Sequence, residues 1–286
     1  QVVICPFDGE VSRIKIQVYG GGKNLYIDHT NGYTTVYMHL EDYYGEIAKY
    51  VKNHQYKIQS YGFDHYVPQG KLKLKKGDTI AFSGNSGSSG GPHLHYEIRN
   101  TASQKTINPV TLGLNLQDKT PPTLYSVRIV PNNASSSING KNEALLIDWK
   151  SKKTSPQNDT INVEGEFFIC YEAYDRSQNS TEKNGVYDSK VYVDDKMLFH
   201  YNNKSFSFAE SRYINGIIDY AYYKTKGKRM LMTKKLQNCK FSNTHYADNG
   251  IINISNGKIK KVSIVLTDEK KNKNTYTFYL KSDKKV

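Results

Sequence analysis

Two histidines one residue apart, His93-Leu94-His95, follow the glycine-rich run from Ser83 to Pro92 and open an apparent strand ending at Ile98. Side chains two residues apart in a strand leave the same face, roughly 7 Å from one another, so both imidazoles address one place. Neutral imidazole is the commonest metal ligand and also a general base near neutral pH, so the pair could divide those roles. His39, at the end of the alternating segment Tyr33-Thr34-Thr35-Val36-Tyr37-Met38, is a candidate third member. As bare residues, all three are equally compatible with ordinary polar positions on strands.

The elements that must position these histidines read as short strands separated by glycine turns: Glu10 to Val18, Leu25 to Asp28, Thr34 to His39, Thr79 to Phe82 and His93 to Ile98. Ile47, Tyr50, Val51, His54 and Ile58 recur at intervals of three and four, predicting a helix over Glu46 to Ile58 inserted between two strands. Gln59 to Gln69 reads as a loop, and His54 and His65, both in the insertion, read as exposed histidines that could line one wall of a cleft. The glycine-rich run before His93 lacks the Lys and the following helix of a phosphate cradle, so it reads as a tight strand connection.

These segments, taken in order, resemble the LytM/lysostaphin-type zinc metallopeptidases, which cut peptide bonds in bacterial peptidoglycan. The resemblance is carried by Asp8-Gly9-Glu10-Val11, Leu25-Tyr26-Ile27-Asp28-His29 with Asn31-Gly32-Tyr33-Thr34, and Tyr37-Met38-His39-Leu40. It continues through Lys76-Gly77-Asp78-Thr79-Ile80, Ser83-Gly84-Asn85-Ser86-Gly87, Gly91-Pro92-His93-Leu94-His95-Tyr96-Glu97-Ile98 and Asn108-Pro109, covering about Val2 to Pro109. It implies that His95 is a Zn2+ ligand and that His39 and His93 are catalytic histidines beside a metal-bound water; His29 belongs to the matched motif but sits before a turn and reads as structural. The fold it implies is a small antiparallel β barrel-sandwich, and the location a bacterial cell envelope, periplasmic or secreted.

The family's other two ligands, a His and an Asp in a His-x-x-x-Asp pattern, lie upstream of the strand matched by Val2 to Val11. No His precedes His29, and Asp8 occupies a turn position. The two further ligands are therefore expected upstream of Gln1, and the chain as given is expected to hold zinc weakly. Two functions stay open: a zinc endopeptidase of peptidoglycan peptides, and a catalytically inactive LytM-like domain that binds cell wall or regulates another wall hydrolase. A third, phosphoryl transfer through His39 and His93, has only the likeness of the barrel to carrier domains behind it.

The texture changes near Asn115, and Asp118-Lys119-Thr120-Pro121-Pro122-Thr123 has the composition of a short stiff connector. We expect a first domain over 1–116 with an insertion at about 42–75, a linker over 117–123, and a second domain over 124–286. Strand candidates there are Leu124 to Val130, Ala144 to Trp149, Gly165 to Tyr174, Ser189 to Val193, Lys258 to Thr267 and Asn274 to Leu280, suggesting an immunoglobulin-like β-sandwich. Arg212 to Leu236 has no clean period and is assigned no element.

Of the net charge of +13, the part up to Asp118 carries +2 and the remainder +11. Lys152-Lys153, Lys234-Lys235, Lys260-Lys261 and Lys270-Lys271 lack the aromatic platforms of nucleic-acid modules. That excess reads as a solvated surface, or as attraction to anionic envelope polymers. No apolar run approaches the roughly 20 residues that span a bilayer. Cys5, Cys170 and Cys239 are too few and too scattered for a Cys-built zinc site. They read as small buried hydrophobes, with a Cys170 to Cys239 bridge as the alternative. His200 and His245 belong to no recognisable site.

Overall fold

The structure is a computed structural model that describes residues 1–114, 117–149, 160–177 and 181–282. It divides into two compact units, Gln1–Pro109 and Val110–Val286. The end of the first domain drawn at 116 and the Lys152-Lys153 pair lie outside the described residues.

In the first unit the strands are β1 (Val2–Ile4), β2 (Gly9–Ile16), β3 (Lys23–His29), β4 (Tyr33–Met38), β5 (Leu40–Tyr43), β6 (Phe63–Tyr66), β7 (Lys73–Leu74), β8 (Thr79–Ser83), β9 (His95–Asn100) and β10 (Thr106–Ile107), with helix α1 (Gly45–Ile58) between β5 and β6. One sheet runs β10-β9-β4-β3-β2-β6 with β7 added to β2; a smaller one runs β1-β8-β5. All these pairings are antiparallel. Val11, Ile14, Leu25, Ile27, Tyr37, Leu40 and Ile80 are essentially removed from water and form one core between the sheets. A buried aliphatic side chain of this size contributes about 1.5–3 kcal/mol. The expected mainly-β architecture is what the structure shows.

Helix α1 joins that core through Ile47 and Val51, one turn apart, as its periodicity requires. The loop expected over Gln59 to Gln69 is a correction: it contains β6, whose Phe63 to Tyr66 pair with Ile16 to Arg13. Propensity is overridden there because Arg13 holds Asp64 at 2.6 Å and packs its guanidinium over the Tyr66 ring, tying the segment to the sheet edge.

The second unit contains β11 (Thr123–Pro131), β12 (Ser137–Ile138), β13 (Leu145–Asp148), β14 (Thr160–Tyr174), β15 (Asp188–Val193), β16 (Lys196–Asn202), β17 (Ser205–Phe206), β18 (Leu231–Met232), β19 (Thr244–Tyr246), β20 (Ile252–Ile254), β21 (Ile259–Thr267) and β22 (Lys273–Lys281). The long strand β14 pairs with β11 along Phe167 to Tyr174 and, at its start, in parallel with β22, so it serves two ladders. Val127, Ile129, Phe167 and Ile169 from one ladder share a core with Val191, Phe199, Ile264 and Phe278 from the other. This strand order does not by itself single out the immunoglobulin arrangement. The unassigned stretch Arg212 to Leu236 holds the end of a 3-10 turn (Phe208–Gly216), helix α2 (Tyr220–Lys226) and β18. Asp219 caps α2 by accepting from the Tyr222 amide, and Gly227 ends it in the left-handed region. All three cysteines are free, with Cys5 and Cys170 buried. Among the described residues no helix is long and apolar enough to cross a membrane.

Candidate active site

The β4–β9 register explains how the histidines meet. Met38 pairs with His95, Val36 with Glu97 and Thr34 with Arg99, so His39 stands one residue past the partner of His95. The chain turns sharply at His39, which takes a φ of 60° and donates its main-chain N–H to Gly21 O at 2.8 Å. A left-handed φ is uncommon for a residue with a side chain and costs about 1–2 kcal/mol, here imposed by the turn from β4 into β5. His93 does not open the strand as expected. Strand β9 begins at His95, and His93 forms a single bridge with Gly84, its N–H on Gly84 O at 3.0 Å. The glycine-rich run bends the chain away from the ladder at that point.

The three imidazoles nonetheless come together. Ring centroids of His39 and His93 lie 4.8 Å apart, and those of His39 and His95 lie 6.0 Å apart. His39 is buried, His95 half-buried and His93 exposed, so the group opens to solvent on one side. His54 and His65 are not part of it. Their rings lie 4.1 Å apart, tilted 31° to each other, between α1 and β6, with Tyr50 Oη at 2.9 Å from His65 Nε2, which replaces the expectation of exposed loop residues.

Hydrogen-bond partners fix which nitrogen of each ring is available. His39 Nδ1 lies 2.8 Å from Ser86 O, and His93 Nδ1 lies 2.8 Å from Gly91 O, with Ser89 Oγ at 3.2 Å. A carbonyl oxygen only accepts, so both Nδ1 atoms carry the proton and both Nε2 atoms keep their lone pairs. His95 is the reverse. Its Nε2 meets Glu97 Oε1 at 2.8 Å, and a carboxylate also accepts, so Nε2 donates and Nδ1 holds the lone pair. Glu97 is in turn gripped by Arg99 at 2.6 Å, and the Arg99 guanidinium lies over the Tyr26 ring.

A histidine whose second nitrogen donates to a carboxylate is the usual arrangement behind a metal ligand, because it fixes the tautomer and raises the basicity of the ligating atom. His95 therefore fits a zinc ligand through Nδ1. His39, His93 and His95 do not bring three ligand atoms within 4.8 Å of one another, so among the described residues they do not make a complete metal cluster. His29 is excluded as a ligand, since Nε2 is at 2.7 Å from Thr35 Oγ1 and Nδ1 at 3.0 Å from Phe7 O. Burial pushes its pKa down. Asp8 is committed elsewhere: the Lys76 N–H and the Lys75 ammonium hold it at 2.9 Å and lower its pKa.

The sequence reading missed Glu97 and Ser86. Glu97 lies two residues from His95 on one strand, a spacing that places both on one face and was available as a signal. Ser86 had no such signal, because its position depends on a close approach of two loops. A Cβ on Gly87 would lie 2.3 Å from Gly22 N and 2.4 Å from Gly20 O, so only glycine lets these loops touch.

A β-rich unit presenting clustered imidazoles, one backed by a carboxylate, is a place where metal binding and acid–base chemistry can meet. Parts of the chain are similar to known proteins. The chain is 37% identical over 112 residues to an uncharacterized metalloprotease of Haemophilus influenzae, a match covering 39% of this chain and 18% of that protein. It is 30% identical over 95 residues to the DD-carboxypeptidase/endopeptidase Mpg of Neisseria meningitidis, covering 33% of this chain and 16% of that protein. The catalytic domain of the prophage-encoded protein EnpA from Enterococcus faecalis aligns with 23% identity and a TM-score of 0.28, over 40% of this chain and 70% of that one. No family model matches the chain. The chain thus spans about a fifth or less of the length of the curated relatives it matches. The resemblance read from the motifs is in keeping with these matches: over about a third of its length the chain is similar to curated metalloproteases and peptidases.

Proposed function

We propose that the chain contributes to a zinc metalloendopeptidase that cleaves peptide bonds in bacterial peptidoglycan, working in the cell envelope or outside the cell. The observation that carries this reading is the opposed tautomers of the three histidines. His95 keeps Nδ1 for a metal, while His39 and His93 keep Nε2 for protons. A catalytic zinc, when bound, polarises the scissile carbonyl and makes water nucleophilic near neutral pH.

The rest of the chemistry falls to the chain itself. His39, buried and clamped by Ser86, offers Nε2 as a proton acceptor whose orientation does not change on turnover. His93, exposed and held by Gly91, offers a second Nε2 that, once it has taken up a proton, can donate it to the departing amine or hydrogen-bond to the developing oxyanion. Proton transfer of this kind is worth about 100- to 10,000-fold in rate. Glu97 and Arg99 hold His95 still. The lysine excess of the second unit supports contact with anionic envelope polymers, in keeping with its share of the net charge.

A second reading has one observation in its favour, the incomplete ligand set around His95. In that reading the first unit binds wall material or regulates another hydrolase without cutting. The two are separated by incubating the protein with muropeptides in the presence and absence of a zinc chelator. Chelator-sensitive release of new amino termini supports the peptidase; retention of muropeptides without release supports the binding domain.

A further inference from the structure

Between α1 and the neighbouring strand ends lies a groove of about 570 Å3. That is within the range of roughly 300–1,000 Å3 in which specific ligands are held. Lys52, Gln55 and Tyr56 form a stripe of α1 on one wall, Lys23 and Asp42 stand on the other, and Tyr61 lies at the end of the helical wall. A single residue, Ser86, links the groove to the histidine site. The Lys23 main-chain N–H donates to Ser86 Oγ at 3.0 Å, and the carbonyl of the same Ser86 receives His39 Nδ1 at 2.8 Å. Asp42 lies three residues beyond His39 on β5.

The charges and faces of this groove specify a class of occupant. Lys23 is already answered by Asp42 at 3.7 Å and by Glu41 O. Lys52 is not: among the described residues no carboxylate lies within 4.0 Å of it, and its ammonium stands 6.0 Å from the Tyr56 ring. Tyr56 and Tyr61 are 65% and 63% exposed, broad faces on which a peptide plane can lie. Gln55 spends its Nε2 on Tyr61 O at 2.8 Å, which leaves its side-chain oxygen to accept a peptide N–H.

We propose that this groove seats an acidic peptide arm of the substrate, its carboxylate on Lys52 and its backbone over Tyr56 and Tyr61, so that α1 sets which peptides reach the histidines. The proposal rests on the peptidase reading above and assigns substrate selection to the inserted helix.

The test is a titration of the nitrogen-15-labelled chain with a blocked Ala-Glu-Ala-Ala-Ala peptide, its Gln counterpart and chitotetraose, with Lys52→Glu and His93→Ala variants in parallel. The expected result is saturable shifts at the amides of Lys52, Gln55, Tyr56 and Tyr61 with the Glu peptide. Affinity should fall at least fivefold with the Gln peptide or in Lys52→Glu, and stay unchanged in His93→Ala. Absent shifts, equal response to both peptides, an unaffected Lys52→Glu variant, or saturation by chitotetraose alone overturns it, the last pointing to a glycan site. Muropeptide cleavage is followed on the same proteins. Cleavage that needs His93 but is indifferent to Lys52 removes the groove and leaves the peptidase. Groove binding without cleavage removes the peptidase and leaves the groove as a peptide site.

Discussion

His39 and His93 lie 4.8 Å apart between ring centroids, and both are anchored the same way, each by its Nδ1 on a main-chain oxygen. Neither orientation depends on another side chain's charge. Replacing either ring by Ala should therefore leave folding intact at His93, which is exposed, and reduce muropeptide cleavage about 100- to 10,000-fold. Cleavage rates with matched circular dichroism spectra check this; a His93→Ala variant that cuts at the normal rate refutes the assignment.

Glu97 acts on His95 from behind. Glu97→Ala should lower zinc affinity about 10- to 100-fold, the usual cost of removing a carboxylate that orients a ligating histidine. Competition with a chromophoric chelator measures it, and Glu97→Gln, which keeps an acceptor oxygen for Nε2, should recover part of the loss. Equal affinities in all three proteins would mean that the 2.8 Å contact has no role in metal binding.

Much of this site was legible in the sequence. His39, His93 and His95 stood in ordered motifs, and alternation placed β2 to β4 within two residues of their observed bounds. What could not be read depends on contacts between distant segments. Strand β6 mixes polar and aromatic residues and is held to the sheet edge because Arg13 reaches Asp64 and Tyr66. His93 lies outside β9 because it pairs instead with Gly84, closing the glycine-rich turn between them. In the second unit, Lys196–Asn202 was passed over as a strand, yet it pairs along the whole of β15.

The loop contact that supports Ser86 gives a stability prediction. Gly87 has a φ of +77°, and a Cβ there would overlap the main chain of Gly20 and Gly22. Gly87→Ala should cost about 2 kcal/mol or more, from the left-handed backbone and the clash together. It should also reduce cleavage further than the stability loss explains, since Ser86 would release His39. Urea unfolding followed beside cleavage checks both; an unchanged transition would show that the loops separate freely.

The second unit offers a pH test. Carboxylate oxygens of Asp118, Asp175 and Asp268 lie within 4.8 Å of one another. Burial first, then the neighbouring Asp268, Glu269 and Asp118 charges, push the Asp175 pKa up to about 6. The folded chain then holds this proton more tightly than the unfolded one, so stability falls as pH rises from about 4 to about 6. Asp175→Asn should stabilise the second unit at pH 7.5, by at most about 3 kcal/mol for a two-unit shift. The gain should vanish at pH 4. Thermal unfolding at the two pH values decides it, and a gain of equal size at both would contradict the assignment.

The most direct test of the peptidase reading is zinc content and muropeptide cleavage measured side by side. The two samples are this chain and the same chain carried upstream through any His-x-x-x-Asp segment its gene encodes. The account predicts about one zinc per extended chain. It also predicts chelator-sensitive cleavage that disappears in His93→Ala and zinc that disappears in His95→Ala. No zinc and no cleavage in either form, or zinc content indifferent to His95, would contradict it.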